Sequence, residues 1–260
     1  MRTRRDLEMK GDCIMATSKK TQEIIEIKPI KKTIVPVRIV GDSPLIMHCW
    51  DAKAKRQILE SEVGIKRAKG DKEKKNPVED FVSSMYWLNP MPNEMTDAAV
   101  DTALQTAKFG FPLSGFKQAA ISAAYRMGWV KDKMSLRGAF FIEPSADGYY
   151  AGDLQINEAR TAIQIVPNVY HREPMIEIKS DMPIMRQDMV KVGMGSADIR
   201  YRGEFRNWSA EFMLSFNENG SYSLEHILNF INAGGYVCGV GEWRPERDGQ
   251  YGMFHIESAE

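Results

Sequence analysis

The sequence predicts a mixed α+β fold in which two helices cover one face of an antiparallel sheet. Residues 208–216 alternate strictly between apolar and polar side chains, which is typical of a half-buried strand. The segments 114–128 and 223–233 each carry an apolar stripe at helical spacing, and the β-branched run 33–40 precedes both. With 260 residues, 43% of them apolar, the chain can bury one full core.

The first strand, TIVPVRIV at 33–40, has an almost continuous apolar pattern that favours a buried position. Pro36 cannot donate a ladder hydrogen bond, so an edge or a bulge is expected there. The helix at 114–128 is expected to begin at a capping Ser114 and to end at Gly128. Its alanine-rich stripe lets it lie close to a sheet; the stripe consists of Phe116, Ala119, Ala120, Ala123, Ala124 and Met127.

Strands are also predicted in the middle and at the end of the chain. Ser223 is the expected cap of the helix at 223–233, and Gly234 and Gly235 are expected to stop it. The predicted strands besides 33–40 and 208–216 are 138–143, 160–166, 175–179, 236–240 and 251–257.

The resulting order is the βαββαβ order of a ferredoxin-like or RRM-like fold, which leaves one sheet face free. Large insertions interrupt it. Segment 42–113 is expected to be helical, and segment 129–207 is rich in β signal. The helices predicted in the first insertion are 51–61, 78–88 and 97–107.

Two polar segments are predicted to lie outside the core. Residues 1–30 are interpreted as a disordered tail before a single domain at 31–260, and Met15 opens a more natural start than Met1. Residues 64–76 are expected to form a flexible basic loop, either a solvated face or an arm that meets a phosphate backbone. Its cations are Lys66, Arg67, Lys69, Lys72, Lys74 and Lys75.

Composition excludes several classes of protein. Because 35 basic residues balance 35 acidic ones, any anion site must be local. No apolar run is long enough to span a bilayer, and the N-terminus lacks the apolar stretch of a secretory signal, so a cytoplasmic protein without a membrane partner is expected. Three cysteines without CxxC spacing and four scattered histidines predict neither a disulfide framework nor a metal site, and no motif indicates a cofactor.

The segment GGYVCGVGEWRPERDGQYGMF, residues 234–254, combines glycines, arginines and aromatic rings. Glycine lets backbone N–H groups approach an anion, guanidinium groups bind phosphate, and rings stack on bases. The candidate nucleic-acid contacts are Gly239, Gly241, Trp243, Arg244, Arg247, Gly249 and Tyr251. The alternative is a glycine-rich turn in which Trp243 fills the core and the arginines pair with Glu242, Glu246 and Asp248.

This segment resembles the C-terminal glycine-rich loop of the RAMP superfamily, ferredoxin-like proteins that include backbone subunits of CRISPR effector complexes. The residues that carry the resemblance are Gly239, Gly241, Arg244, Arg247, Gly249, Gly252 and Phe254. The resemblance implies a protein that binds single-stranded RNA or DNA and self-associates into a filament or ring. The chain also resembles a small protein of bacteriophage genomes, a likeness that implies no function.

A second segment, residues 185–208, occupies the place of the thumb, an inserted hairpin that folds over the bound strand in RAMP-type subunits. If the RYR stretch is extended, Arg200 and Arg202 lie on one face, about 7 Å apart, which suits successive phosphates. The candidate contacts are Arg186, Lys191, Arg200, Arg202 and Arg206. The alternative is a solvated or ion-paired loop, because Asp188, Asp198 and Glu204 lie among them.

No catalytic constellation is identified. His48 has no partnered acid that spacing can identify. His171 could act with Glu173 or Arg172 on a loop, but no histidine matches the placement in RAMP ribonucleases. We therefore predict a protein without enzymatic activity that binds single strands with little sequence preference. The rivals are a phage assembly or host-interaction protein that uses the same surfaces for protein contacts, and a metal-independent RAMP-type endoribonuclease.

Overall fold

A computed structural model describes residues 29–64, 75–158, 162–192 and 196–257. The predicted tail at 1–30, except for its last two residues, lies outside the described residues. The same holds for the predicted basic contacts Lys66, Arg67, Lys69, Lys72 and Lys74, so that Lys75 alone represents that loop.

The chain alternates between strands and helices. The strands are β1 (Lys32–Gly41), β2 (Leu45–Ile46), β3 (Tyr86–Trp87), β4 (Phe109–Pro112), β5 (Phe140–Glu143), β6 (Ala146–Ile156), β7 (Ile163–Lys179), β8 (Ile184–Val192), β9 (Ser196–Phe205), β10 (Ser209–Asn217) and β11 (Phe254–Ile256). The helices are α1 (Ala52–Val63), α2 (Pro77–Ser83), α3 (Asp97–Leu104), α4 (Leu113–Arg126), α5 (Met134–Arg137) and α6 (Leu224–Ala233).

Four strands form the core of the larger sheet in the order β11-β1-β10-β5, and each pairs antiparallel with its neighbour. Along the chain these are the fourth, first, third and second strands of a βαββαβ unit, with α4 after the first and α6 after the third. The predicted α+β class is therefore confirmed: an antiparallel sheet of ferredoxin type with helices and large insertions. The predicted edge at Pro36 is also found, because β11 pairs only with residues 39–41 of β1.

Helices α4 and α6 pack against each other and against this sheet. Along α4 the predicted stripe is buried from Phe116 to Ala124, and alternate residues of β10 are buried opposite it. Ser223 caps α6 as predicted, and Gly128 takes the left-handed conformation after α4, with φ of +73°. Ser114 does not cap α4; Pro112 stands at that position and makes no side-chain capping bond.

Four predicted elements are wrong in position or type. Residues 163–166 of one predicted strand and 175–179 of the other belong to one long strand, β7, which pairs with the unpredicted β6, whereas 160 and 161 lie outside the described residues. Residues 236–240 are not a strand, since Gly234–Cys238 continue α6 as a π-helical turn. Glycine allows this turn to pack closely because it has no Cβ: a Cβ on Gly234 would meet the backbone of α4, and one on Gly235 would meet Phe254. The predicted helix at 78–88 ends at Ser83, and Tyr86–Trp87 form β3.

The insertions build the surroundings of the core. The first contains α1, α2 and α3 with the short strands β2, β3 and β4. The second contains α5 and the strands β6 to β9, and the core strand β5 lies between α5 and β6. β8 and β9 form a hairpin that pairs with β2 in a separate three-stranded sheet, and its base packs on α2. None of the helices in the described part of the chain is both long and apolar enough to cross a bilayer.

Candidate nucleic-acid interface

The β8–β9 hairpin and the glycine-rich loop at 239–252 lie against each other, so the structure joins the two segments that the sequence singled out. The indole nitrogen of Trp243 lies 3.3 Å from Asp188 Oδ2 on β8. The guanidinium carbon of Arg186 stands 4.6 Å from the centre of the Tyr251 ring. Both rings are only partly buried, and Trp243 keeps 38% of its surface exposed. The alternative in which Trp243 fills the core is therefore wrong.

The hairpin has a charged face and an apolar face, because side chains alternate along a strand. Arg186 and Asp188 of β8 lie on the charged face with Arg200, Arg202 and Glu204 of β9. At its base the apolar face buries Phe205 and brings Gly203 against Met85; nearer the tip it exposes Met185, Met189 and Ile199.

Asp188 is the centre of the charged face. Its carboxylate accepts hydrogen bonds from Arg186 Nε at 2.7 Å and from Arg202 Nη1 at 3.2 Å. Arg202 is only 5% exposed, and its Nη2 lies 3.8 Å from Glu242 of the glycine-rich loop. The prediction of Arg202 as an open phosphate contact is therefore wrong: the loop covers it, and two carboxylates neutralise it.

Glu204 joins two more of the predicted arginines. It accepts from Arg186 Nη1 at 2.9 Å and from Arg206 Nε at 2.7 Å. Burial opposes ionisation of Glu204 most strongly, yet the hydrogen bonds from Arg206 and Arg186 hold its pKa below its ordinary value. Arg186 is thus shared between two carboxylates, whereas Arg206 uses one N–H and stays largely exposed.

Asp198 also pairs with two of the predicted cations, toward the end of the hairpin. It lies 3.3 Å from Arg200 Nε and 2.6 Å from Nζ of Lys75, the described member of the predicted basic loop. The hydrogen bond from Lys75 is the largest cause that holds the pKa of Asp198 below its ordinary value. Arg200 and Lys75 are therefore paired rather than free, although both remain partly exposed.

The glycine-rich loop has the expected backbone but not the expected open donors. Gly239 and Gly241 have positive φ, and a Cβ on Gly249 would meet the carbonyl of Trp243. The backbone N–H groups of Gly239, Gly249 and Tyr251 donate to carbonyls of Gly234, Arg244 and Trp243. Because these groups already have partners, the predicted anion-binding concavity is absent at these positions.

Arg244 and Arg247 differ in their surroundings. Arg244 donates to Glu246 from Nη2 at 3.0 Å and to the carbonyl of Gly241 at 3.0 Å, so the ion-paired alternative holds for this residue. Arg247 is exposed, as is Lys191 on the hairpin, and neither forms an ion pair within the described ranges. Lys191 lies on the apolar face of the hairpin with Met189, so Arg247 is the unpaired cation that remains at the surface beside the glycine-rich loop among the described residues.

The open face of the larger sheet does not add positive charge. Arg38 and Lys179 lie within 4 Å of Glu211, and Lys32 pairs with Glu143. Exposed apolar side chains stand among these pairs, among them Ile34 and Met213. No uncompensated basic groove is found on this face in the described residues.

A cavity of about 200 Å³ lies between the glycine-rich loop and the start of α4, lined by His48, Tyr86, Phe111, Gln118, Gly241 and Glu242 among others. His48 Nδ1 lies 3.0 Å from Glu242 Oε1, a partner that sequence spacing missed because it stands 194 residues away. The hydrogen bond from His48 is the largest cause that lowers the pKa of Glu242. His171 instead lies within β7, where it stacks on Tyr149. No cluster among the described residues has three or more side chains able to hold a metal.

Comparisons with known proteins were made for the sequence and for the fold. No protein-family profile matches the sequence, and no curated protein is significantly similar to it. Among solved structures, the chain is similar to the crystal structure of Cmr6 from Pyrococcus furiosus, with 11% sequence identity and a TM-score of 0.30 over 88% of this chain and 100% of that chain. Those values are too low for the likeness to bear on the site, so the functional argument rests on the geometry alone.

Proposed function

We propose that this protein binds single-stranded nucleic acid, RNA or DNA, with little dependence on sequence, and that it has no enzymatic activity. The observation that carries the proposal is the shared surface of Trp243, Tyr251 and Arg186, where two accessible rings lie beside guanidinium groups. Rings of this kind stack on bases of any sequence, and arginine binds the phosphates between them.

The ion pairs on the hairpin weaken long-range attraction but leave donors for phosphate. A guanidinium has five N–H groups, and a single carboxylate occupies one or two of them. Arg206 gives only Nε to Glu204, and Arg200 gives only Nε to Asp198. A phosphate can therefore be bound at either arginine while the existing pair stays formed.

Because the charges are balanced, stacking supplies most of the affinity at this surface. Arg247 is the unpaired cation there, and each phosphate that a cation neutralises releases counterions from the strand, which contributes about 0.7 to the slope of log K against log salt for a single strand. Binding at this surface alone therefore has a shallow slope, of about 0.7.

The apolar face of the hairpin supports self-association along the strand. Met189 is 78% exposed, and Met185 and Ile199 lie near it on the same face. Exposed apolar side chains that neighbour one another mark contact sites in soluble proteins. We propose that this face contacts the next copy, which gives a filament or ring.

Two rival functions rest on particular observations. The same methionine-bearing face is equally suited to another protein, as in a phage assembly or host-interaction protein. The contact between His48 and Glu242 lies beside a cavity, and an endoribonuclease could use such a pairing as a general base. Incubation with labelled RNA tests the second rival, since a binding protein leaves the RNA intact.

Fluorescence anisotropy with labelled 20-nucleotide single strands of U or dT tests the proposal. Trp243→Ala and Tyr251→Ala are each expected to weaken binding about 5- to 150-fold, from about 1–3 kcal/mol per stacked base. Tyr236→Ala is the matched control, because that ring is 72% exposed on the π-helical turn, away from the hairpin. Unchanged affinity in both loop variants contradicts the proposed site.

A further inference from the structure

The edge formed by α4, α5 and β5 carries the excess positive charge that the hairpin lacks. Residues 117–141 contain five basic side chains and one acidic one, Asp132. Arg126 is paired with Glu246, and the side chain of Asp132 accepts from the amide of Ser135. The remaining four cations form no ion pair within the described residues; they are Lys117, Lys131, Lys133 and Arg137.

Lys117 stands at one end of this edge without a carboxylate. Its Nζ donates to the carbonyl of Arg137 at 2.8 Å and lies 4.4 Å from the centre of the Phe141 ring. Phe141 is 54% exposed, although the neighbouring Phe140 is fully buried. Partial burial holds the pKa of Lys117 below its ordinary value because it disfavours the charged ammonium group. An anion near Lys117 would offset that loss of solvation.

Lys133 repeats the arrangement at the other end. Its Nζ lies 3.1 Å from Ser122 Oγ and 5.6 Å from the centre of the Tyr125 ring. Tyr125 is itself nearly half exposed on α4. Each end of the edge thus presents one lysine beside one accessible aromatic ring.

The two ends belong to one continuous surface. Lys117 and Tyr125 are eight residues apart on the same helix, which places their Cα atoms about 12 Å apart at the helical rise of about 1.5 Å per residue. Arg137 and Lys133 lie alongside through the contacts to Lys117 and Ser122. A few nucleotides of an extended single strand cover that distance.

We propose that this surface, defined by Lys117, Tyr125, Lys133, Arg137 and Phe141, is a second binding site for single-stranded nucleic acid, separate from the hairpin and the glycine-rich loop. The ligand class of this inference rests on the proposed function. Its location rests on residues outside the hairpin and the glycine-rich loop. Lysines bind the phosphates, and Tyr125 and Phe141 stack on bases.

Rings between the cations favour a nucleic acid over an acidic polypeptide. Lysines alone attract either polyanion, whereas an exposed aromatic face beside each lysine contributes only to a ligand that has flat bases. An acidic polypeptide is therefore the competing outcome, and removal of a ring separates the two ligands.

The test uses the full chain and anisotropy with labelled 20-nucleotide single strands. Lys117→Gln together with Lys133→Gln keeps most of each aliphatic stem but removes two phosphate contacts, so the salt slope is expected to fall by about 1.4 and affinity at 0.1 M salt to fall about 25-fold. Tyr125→Ala is expected to weaken binding about 5- to 150-fold. The control, Lys108→Gln together with Lys179→Gln, removes equal charge from lysines that already pair with Glu177 and Glu211.

The outcomes separate this inference from the proposed function. If the hairpin-loop variants weaken binding and the Lys117/Lys133 variant matches its control, the second site is overturned and the proposed function stands. If the wild-type chain binds no single strand, both fail. If polyglutamate displaces the strand and Tyr125→Ala has no effect, the surface binds acidic polypeptides and the inference is overturned. Circular dichroism of each variant shows that it is folded.

Discussion

Replacement of Asp188 by Asn is expected to destabilise the protein more than any other single removal of charge on the hairpin. Asp188 accepts from Arg186 and Arg202, and its side chain is only 6% exposed. Loss of one partner from a buried ion pair costs about 3–5 kcal/mol because the other charge stays buried. Arg186 keeps Glu204 and Arg202 keeps Glu242, so we expect the lower end, about 3 kcal/mol, and a fall in Tm of about 6–12 °C.

Urea unfolding followed by circular dichroism measures this change in the free energy of unfolding. The matched control is Asp198→Asn, which makes the same chemical change at an acid whose side chain is 37% exposed and pairs with Lys75 and Arg200. A loss of at most about 1 kcal/mol is expected for an exposed pair. Equal losses in the two variants, or an Asp188→Asn variant as stable as the wild type, refute the claim that the glycine-rich loop buries this cluster.

Three further predictions follow from the same structure. Because the pKa of Glu204 is lower in the folded chain, its contribution to the free energy of unfolding is complete above about pH 4.5 and is lost as the pH falls through the folded pKa. In urea melts at a series of pH values, Glu204→Gln should therefore lose less stability on acidification than the wild type. Burial raises the pKa of Cys49 to about 12 and also raises that of Cys238, so a folded Cys13→Ser chain should react slowly with a thiol reagent at pH 8, and rapid reaction of either thiol contradicts the core. Gly241→Ala, at φ of +78°, should lose at least about 1 kcal/mol in thermal melts, and a neutral result contradicts the loop conformation.

The sequence pattern predicted the strands and helices that are determined by residues near to one another in the chain. Strict alternation located β10, and an apolar stripe with a capping Ser223 located α6. The π-helical turn at Gly234–Cys238 was missed because β-branched and aromatic residues there suggested a strand, whereas close packing on α4 and Phe254 decides the backbone.

The candidate site shows the same division. Arg244 and Glu246 are two positions apart in the chain, so their ion pair could be considered from the sequence. The partners of Arg202 and His48 could not, since Glu242 comes to both only after the glycine-rich loop folds over the hairpin. Sequence reasoning therefore identified two segments that the fold brings together, but it assigned open positive charge to side chains that tertiary contacts neutralise.

The positive charge at the edge of α4 and α5 has no signature in the sequence. Its lysines are spread over residues 117–133 between apolar positions, so they do not form a basic run. Only the folded contacts show that Lys117 and Lys133 lack carboxylates and stand beside exposed rings.

The most direct test of the account is the affinity of the wild-type chain for a labelled single strand between 0.05 and about 0.5 M salt. The hairpin-loop surface alone predicts a slope of about 0.7, and both surfaces together, with the four unpaired cations Arg247, Lys117, Lys133 and Arg137, predict about 2.8. A single strand that binds saturably, more tightly than the matching duplex and with a slope in this range, supports the account. No saturable binding at the lowest salt, or equal binding of the duplex, contradicts it.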